Sequence, residues 1–199
     1  MSKQEVKKVS ESKLCFGSDY HFGHANVVVY CNRPVEPKQG PLDEWIITQH
    51  NSVVNPQDIF YFNGDLTMYR ERDYDKIAGL VSRLNGKEKH FNLGNHDKLE
   101  VIKRLYQDKL ITSYCDYREL EIDGIKVVMS HYPMFEWNKG HHGSFMLHGH
   151  CHGSRKFYPF PGKIMDIGLD AHPQKRPYVF KEIYENLRDK PIAHHHEKK

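Results

Sequence analysis

The chain has 199 residues, a formal net charge of +3 and four cysteines. This length suits one domain, the modest and interspersed charge gives no signal for nucleic-acid binding, and the cysteine spacing suggests no disulfide framework. Residues 1–13 lack the apolar core of a secretory signal, and no run approaches the ~18 apolar residues of a membrane span. We therefore expect a cytoplasmic protein with a single domain over 1–199, a core at about 13–189 and a disordered tail at 190–199.

β-rich apolar runs alternate with helical periodicities along the chain. The predicted elements, in order, are a strand at 13–17, a helix at 42–54, a strand at 58–63, a helix at 72–84, a strand at 89–93, a helix at 98–109, strands at 117–122, 125–130, 144–147 and 163–167, and a helix at 179–187. Asp123-Gly124 predicts a type I′ turn, and we expect Leu99, Ile102 and Leu105 to face inward. Helical patterns first and mostly antiparallel strands later predict an α/β fold with two sheets packed face to face and helices outside.

Five short polar segments follow strand-like runs. They are Asp19-Tyr20-His21, Gly64-Asp65, Gly94-Asn95-His96-Asp97, Ser130-His131 and Gly149-His150-Cys151-His152. Strands that end at one edge of a sheet would bring these segments together. Two aspartates, one asparagine and four histidines are too many ligands for one ion, but they suit two ions about 3.5 to 4 Å apart that share a carboxylate. Nitrogen and oxygen ligands without thiolate favour Mn, Fe, Zn, Ni or Co, and Mn²⁺ is our first choice.

Each segment alone has a simpler explanation. Asp-x-His is a common surface triplet, and Gly64-Asp65 and Gly94-Asn95 are typical of turns. His131 follows an apolar run and alone would be interpreted as a core histidine. Cys151 lies between two ligand candidates, but adjacent residues of an extended segment point opposite ways, which favours packing or exposure. Only the five segments together indicate a metal site.

In this order, from Asp19 to His152, the segments resemble the calcineurin-like metallophosphoesterase family, especially its small bacterial or phage-type members. The resemblance implies an αββα sandwich of two mixed sheets flanked by helices, with two divalent metal ions as cofactors. The implied ligands are Asp19, His21 and His152 for one ion, Asn95, His131 and His150 for the other, and Asp65 as the bridge. His96 matches the family position that donates a proton to the leaving oxygen, and we expect Asp97 to orient it.

The residues agree with a hydrolytic role. Two cations on one water can depress its pKa enough to form hydroxide at neutral pH, and a histidine beside them can protonate the leaving alkoxide. This predicts hydrolysis of a small phosphodiester or phosphomonoester, with a nucleotide among the candidates. A nuclease is one alternative, but the basic, aromatic groove that it needs is not evident. A non-catalytic binding scaffold is the other, and it predicts eroded ligands, whereas every ligand is present.

His24, Asn26 and Arg33 follow the first segment and are our candidates for substrate binding, Arg33 through a bidentate contact. A loop cap or a surface role is the alternative for each. Arg70 and Arg72 have a similar prospect, with a solvated helix start as the alternative.

Aromatic residues follow His131 in the sequence. Tyr132, Phe135 and Trp137 could stack on a base or an aromatic leaving group, or pack their own loop. Asp170 and His172 are candidates to orient a ligand histidine from behind.

Overall fold

The computed structural model describes residues 7–9, 14–154 and 162–193. Residues 7–9 are described as backbone alone. Lys13, at the start of the first predicted strand, and residues 194–199 of the predicted tail lie outside these ranges. In the described part of that tail, the ammonium group of Lys190 donates a hydrogen bond to the carbonyl oxygen of Ile164 at 2.9 Å. No helix of the described residues is long and apolar enough to cross a bilayer.

Strands and helices alternate as the sequence predicts. The strands are β1 (Lys7–Val9), β2 (Leu14–Gly17), β3 (Ile59–Asn63), β4 (Glu88–Asn92), β5 (Ser113–Cys115), β6 (Tyr117–Ile122), β7 (Ile125–Ser130), β8 (Phe145–His148), β9 (Ile164–Asp166) and β10 (Tyr178–Val179). The helices are α1 (Ala25–Tyr30), α2 (Gln39–Asn51), α3 (Tyr74–Ser82), α4 (Leu99–Gln107) and α5 (Phe180–Leu187). Every predicted element is present with boundaries within a few residues, whereas β1, β5, β10 and α1 have no predicted counterpart.

Two five-stranded mixed sheets form the centre of the fold, which confirms the predicted sandwich. One sheet has the order β10-β2-β3-β4-β5, in which only β10 runs antiparallel to its neighbour. The other has the order β1-β6-β7-β8-β9, in which only β6 and β7 are antiparallel. The expectation of mostly antiparallel later strands is therefore wrong. The long connections before β8 and β9 return the chain to the starting edge, as parallel pairing requires.

Alternation along β2 divides the core into two layers. Leu14 and Phe16 point into a cluster between the sheets, where they meet Val127 and Leu147 of the second sheet. Cys15 points the other way, into a cluster formed with the buried faces of α2, α3 and α4. Burying each large apolar side chain contributes about 1.5 to 3 kcal/mol, so both faces of the first sheet hold the strand ends in place.

Two local predictions have different outcomes. Asp123 and Gly124 have φ of 47° and 83°, which confirms the type I′ turn between β6 and β7. In α4, however, Leu99 is 44% exposed, and the buried residues are Val101, Ile102 and Leu105. At 3.6 residues per turn, Leu99 lies about 120° around the helix axis from Leu105 and about 160° from Val101, so it points away from the core.

Candidate metal centre

All five polar segments meet at one edge of the sandwich. β2, β3 and β4 end there in one sheet, and β7 and β8 end beside them in the other, because these strands run parallel within their sheets. Backbone hydrogen bonds join the loops: the Asp19 amide donates to the Gly64 carbonyl oxygen, and the Gly149 amide donates to the His131 carbonyl oxygen, both at 2.9 Å. Proposed ligands that are far apart in the sequence therefore share one small volume.

Several proposed ligands have an unusual backbone. Asp19, His21, Asp65, His150 and His152 have φ of 61°, 54°, 62°, 68° and 48°. Only a few per cent of non-glycine residues adopt positive φ, and the conformation costs roughly 1 to 2 kcal/mol per residue. Of the ten such residues in the described ranges, five are proposed ligands. Strain concentrated in this way is typical of functional sites.

Glycines allow the ligand loops to approach closely. Gly64 has φ of +98°, and a Cβ there would lie 2.6 Å from His131 Nδ1. A Cβ on Gly149 would lie 2.6 Å from Asp19 Oδ2, and one on Gly94 would collide with the Asp65 carboxylate. Gly94 and Gly149 therefore leave room for the two carboxylates, and Gly64 leaves room for the His131 ring.

One group of ligand atoms consists of Asp19, His21 and His152, and their candidate ligand atoms all lie within 4.8 Å of one another. The His21 Nε2 and His152 Nε2 atoms are 3.2 Å apart, and Asp19 Oδ1 lies 4.0 Å and 3.8 Å from them. Asp19 is fully buried, and its two carboxylate oxygens accept the His150 amide at 3.0 Å and 3.1 Å. These atoms converge on one point from three loops.

The second group consists of Asp65, His131 and His150, again with candidate ligand atoms within 4.8 Å of one another. Asn95 completes this group. Its Oδ1 lies 3.0 Å from His131 Nε2 and 3.0 Å from His150 Nδ1. His150 and Asn95 are exposed, whereas His131 is buried, so this group opens towards solvent.

Asp65 lies between the two groups. A single carboxylate oxygen, Oδ2, is 3.6 Å from His21 Nε2 and 3.4 Å from His131 Nε2. Its other oxygen accepts the His96 amide at 2.9 Å. The carboxylate is therefore fixed with one oxygen facing both groups at once.

Hydrogen bonds from behind orient two ligand rings. His131 Nδ1 donates to the Asn63 carbonyl oxygen at 2.8 Å, and His152 Nδ1 donates to Asp170 Oδ2 at 2.8 Å. Each bond leaves the Nε2 lone pair directed at the site, which is the arrangement found behind metal-ligating histidines. Asp170 thus lies where the sequence places it. His172 does not, because its Nδ1 accepts the Gln174 amide at 2.9 Å.

Burial and neighbouring groups shift the titration of the ligands. Burial raises the pKa of Asp19 to about 7, against the opposing effect of His152 and His131. Burial would also raise the pKa of Asp65, but His131 and the His96 amide hold it at about 2. Burial lowers the pKa of His21 to about 3, so its ring is neutral. Burial would lower the pKa values of His152 and His131 as well, but Asp170 and Cys31 raise the pKa of His152 to about 10, and Asp65 and Asp19 raise that of His131, so a cation would displace protons from these two rings.

The donor set fits two divalent cations. It offers carboxylate, amide and imidazole donors from seven residues, without a thiolate among the proposed ligands, and this favours first-row transition metals. The two groups hold ligand atoms of several residues at separations of 3.0 to 4.0 Å, with a shared carboxylate between them. A cation at the first group would lie between the facing Nε2 atoms of His21 and His152, which are 3.2 Å apart.

His96 lies beside this centre on the open side. Its side chain is 42% exposed, and Nε2 is 4.0 Å from Asp65 Oδ2. The His96 ring lies 5.4 Å from the His21 ring, centroid to centroid. A side chain at this position is within reach of a substrate held at the metal face.

Asp97 has a different role from the predicted one. Its Oδ2 accepts the amides of Asp65 and Gly94 at 2.9 Å and 2.8 Å, and its Oδ1 accepts the Leu66 amide at 2.8 Å. Both oxygens are occupied by backbone, so Asp97 fixes the loop that carries Asp65 instead of orienting the ring of His96. Burial raises the pKa of Asp97 to about 6, an effect that these amides oppose.

Arg33 also lies apart from its predicted position. It is 3% exposed, and its Nε and Nη2 donate to the two oxygens of Asp170 at 3.0 Å and 2.8 Å. Nη1 and Nη2 also donate to the carbonyl oxygens of Tyr20 and Asp19 at 2.8 Å and 2.7 Å. The guanidinium is buried and engaged on all sides, which argues against a substrate contact and gives it a structural role behind the ligand loop.

Of the other predicted substrate contacts, His24 and Tyr132 lie near the metal face. The His24 ring is 5.7 Å from the His21 ring, and its pKa is lowered by burial. Asn26 is exposed on α1. Tyr132 is 50% exposed, and its ring lies 4.7 Å from that of His150.

The other two residues of the predicted aromatic group differ in their exposure to solvent. Phe135 is 67% exposed, whereas Trp137 is buried and donates to the Ser144 carbonyl oxygen at 3.1 Å. Trp137 therefore packs its own loop.

One further side chain lies at the site, and no sequence motif contains it. Cys31 Sγ lies 3.4 Å from His152 Nδ1, and Cys31 forms a further candidate ligand group with His152 and Asp170. All four cysteines are free. A lone cysteine 121 residues away from its partner gives no sequence signal.

Comparison with known proteins gives three findings. The sequence model of the calcineurin-like phosphoesterase family matches residues 18–198. An uncharacterized protein of Methanocaldococcus jannaschii is 34% identical over 153 residues, which cover 76% of this chain and 77% of that protein. The crystal structure of a protein of unknown function from Aquifex aeolicus is similar with a TM-score of 0.66 and 23% identity, over 89% of this chain and 99% of that one. The last likeness concerns the fold alone.

Proposed function

The chain belongs to the calcineurin-like phosphoesterase family, and from that premise we propose that it hydrolyses a small phosphodiester or phosphomonoester at a dinuclear metal centre. A metal-dependent phosphoesterase is the activity that family membership supports. The proposal adds the substrate size, the ligands and the proton donor.

The observation that carries this proposal is the position of Asp65 Oδ2. One oxygen lies within 3.6 Å of a nitrogen from each ligand group, so one carboxylate can serve two ions. We assign Asp19, His21 and His152 to one ion and Asn95, His131 and His150 to the other. When bound, such a pair of cations activates a water as nucleophile and offsets charge on the phosphoryl oxygens. Mn²⁺ is our first choice for both sites.

The residues of the chain supply the remaining steps. Asp97 and the glycines hold the ligand loops, and Asn63 and Asp170 fix the ring orientation of two ligands. His96 is exposed beside the bridging carboxylate, where it can give a proton to the leaving oxygen of the ester. An open face with His24 and Tyr132 at its edge suits a small ester, including a nucleotide.

The test uses metal-stripped protein, Mn²⁺ added back, and three substrates: p-nitrophenyl phosphate, bis-p-nitrophenyl phosphate and a 2′,3′-cyclic nucleotide. We expect turnover of at least one ester that chelation abolishes and Mn²⁺ restores. His96→Ala should lower kcat by roughly 10²- to 10⁴-fold while both ions stay bound, because it removes the proton donor and no ligand. His142→Ala, an exposed histidine outside the site, is the matched control.

Three results would overturn parts of the proposal. Activity that survives exhaustive chelation would rule out metal catalysis. Loss of metal in His96→Ala would show that His96 is a ligand. Cleavage of oligonucleotides without turnover of any of the three small esters would replace the small-substrate proposal by a nuclease.

A further inference from the structure

A cavity of about 500 Å³ adjoins the metal centre on the His96 side. Its lining consists of Thr67, Met68, Tyr69, Arg70, Glu71, Arg72, His96 and Lys98. We call it the leaving-group pocket. Its volume lies within the usual range of about 300 to 1,000 Å³ for small-molecule sites.

The proposed chemistry decides what this pocket receives. A general acid must lie within hydrogen-bond reach of the leaving oxygen. His96 Nε2 is 4.0 Å from Asp65 Oδ2, and the same side chain lines the pocket. An ester at the metal face that takes its proton from His96 therefore extends its leaving group into this cavity.

The charge of the pocket is the second observation. Three cationic side chains line it, from Arg70, Arg72 and Lys98, against one carboxylate, Glu71. All four side chains are exposed. Within residues 14–154 and 162–193, no carboxylate pairs with any of the three cations at 4.0 Å or less. Among the residues that line the pocket, Glu71 is the one carboxylate that could neutralise any of the three cations.

The wall of the pocket is built before any ligand arrives. The amides of Phe22 and Met68 donate to the carbonyl oxygens of Leu66 and Phe22, each at 2.9 Å, which ties the wall to the loop of Asp19 and His21. The Tyr69 hydroxyl donates to Asp43 Oδ2 at 2.7 Å, and the Lys76 ammonium lies 4.1 Å from the centre of the Tyr69 ring. A fixed wall lowers the entropic cost of binding.

We infer that the leaving-group pocket selects phosphoesters whose leaving group carries an anionic group of its own, such as a carboxylate or a second phosphate. Met68, which is 41% exposed, offers apolar contact to the part of the leaving group between the scissile phosphate and that anion. This inference rests on the proposed function and adds the substrate class.

Two nearly isosteric esters test it: 4-carboxyphenyl phosphate and 4-carbamoylphenyl phosphate, with benzene-1,4-diyl bisphosphate as the phosphate counterpart. For the Mn²⁺-loaded enzyme, we expect kcat/KM to be about tenfold higher for each ester with an anionic leaving group than for the amide ester. The difference should lie mainly in KM, because attraction between exposed cations and an anion is modest and acts on binding. The preference should fall as ionic strength rises, because exposed charges are screened.

Variants of the pocket should change the ratio of kcat/KM between the carboxylate ester and the amide ester in opposite directions. Arg70→Gln combined with Arg72→Gln should bring the kcat/KM ratio of the two esters close to one, and Glu71→Gln should raise the ratio above that of the wild type. Lys181→Gln, which removes an exposed cation on α5, is the matched control and should leave the ratio unchanged. Circular dichroism checks that each variant is folded.

The outcomes separate this inference from the proposed function. Equal turnover of the anionic and amide esters by wild-type enzyme would overturn the leaving-group pocket and leave the phosphoesterase intact. A ratio that Lys181→Gln lowers as much as the double variant would also overturn it, since net charge alone would then explain the preference. No turnover of any ester by protein with two ions bound would overturn the proposed function itself.

Discussion

Replacing Asp170 by asparagine should destabilise the protein by about 3 kcal/mol and weaken metal binding at the group that contains His152. Asp170 pairs with Arg33 through two hydrogen bonds of 3.0 Å and 2.8 Å. The side chains of Arg33 and Asp170 are 0% and 1% exposed. The variant keeps the shape of the side chain and removes its charge.

The magnitude follows from what remains after the substitution. Removing one partner of a buried ion pair costs about 3 to 5 kcal/mol, because the other charge is left uncompensated. The lower end applies here, since Arg33 keeps its bonds to the carbonyl oxygens of Tyr20 and Asp19. The loss of the bond that orients His152 should weaken metal binding by roughly 10- to 100-fold.

The assay is urea denaturation of metal-free protein, together with calorimetric titration with Mn²⁺. Arg83 and Glu44 provide a matched control, because this pair also forms two hydrogen bonds, at 2.7 Å and 2.6 Å, but with side chains 48% and 61% exposed. Glu44→Gln should leave the denaturation midpoint almost unchanged, because exposed ion pairs contribute little.

Equal destabilisation by Asp170→Asn and Glu44→Gln would refute the argument from burial. Unchanged Mn²⁺ affinity in a destabilised Asp170→Asn would refute the second part alone and show that His152 needs no partner for its orientation.

Three further predictions concern stability and metal content. Burial lowers the pKa of His50 to about 4, whereas its pKa in the unfolded chain is about 6.5. The contribution of His50 to the free energy of unfolding should therefore be complete above pH ~6.5 and fall by on the order of 3 kcal/mol as the pH decreases to about 4. Denaturation of His50→Gln should show a shallower dependence of stability on pH. Gly149→Ala should lose metal in elemental analysis because a Cβ would meet the Asp19 carboxylate, whereas Gly79→Ala, where nothing lies within 4 Å, should stay metal-loaded. Asp65→Ala should lose both ions in the same analysis, and full occupancy of one site would show that Asp65 does not bridge.

Much of the fold could be predicted from local sequence patterns, namely apolar periodicity and turn residues. Strands such as Tyr117–Ile122 and Ile125–Ser130 lie where their apolar periodicity and the Asp123-Gly124 turn place them. β1, β5 and β10 have two or three residues each, too few for a period to be seen, and their pairing partners are the neighbouring strands β6, β4 and β2. The direction of β8 and β9 depends on long connections, which carry no periodic signal.

The clustering of the proposed ligands could be predicted, because metal chemistry restricts which residue types serve and the strand ends bring them together. The roles of Arg33 and Asp97 could not. The partner of Arg33, Asp170, lies 137 residues away, and an arginine after a ligand loop suits a substrate contact and a buried ion pair equally well in sequence. Asp97 follows His96, but its carboxylate turns towards the amides of Asp65 and Leu66, which only the folded chain brings near.

The left-handed backbone of five proposed ligands bears on what selection acts on in this sequence. At φ near 50° to 70°, glycine would relieve roughly 1 kcal/mol at each position, yet Asp19, His21, Asp65, His150 and His152 carry side chains there. A chain under selection for folding alone would gain stability by losing all five. Their joint presence is what is expected if selection acts on cation binding, and a protein that only displays a surface would have no need to retain residues that its own backbone disfavours.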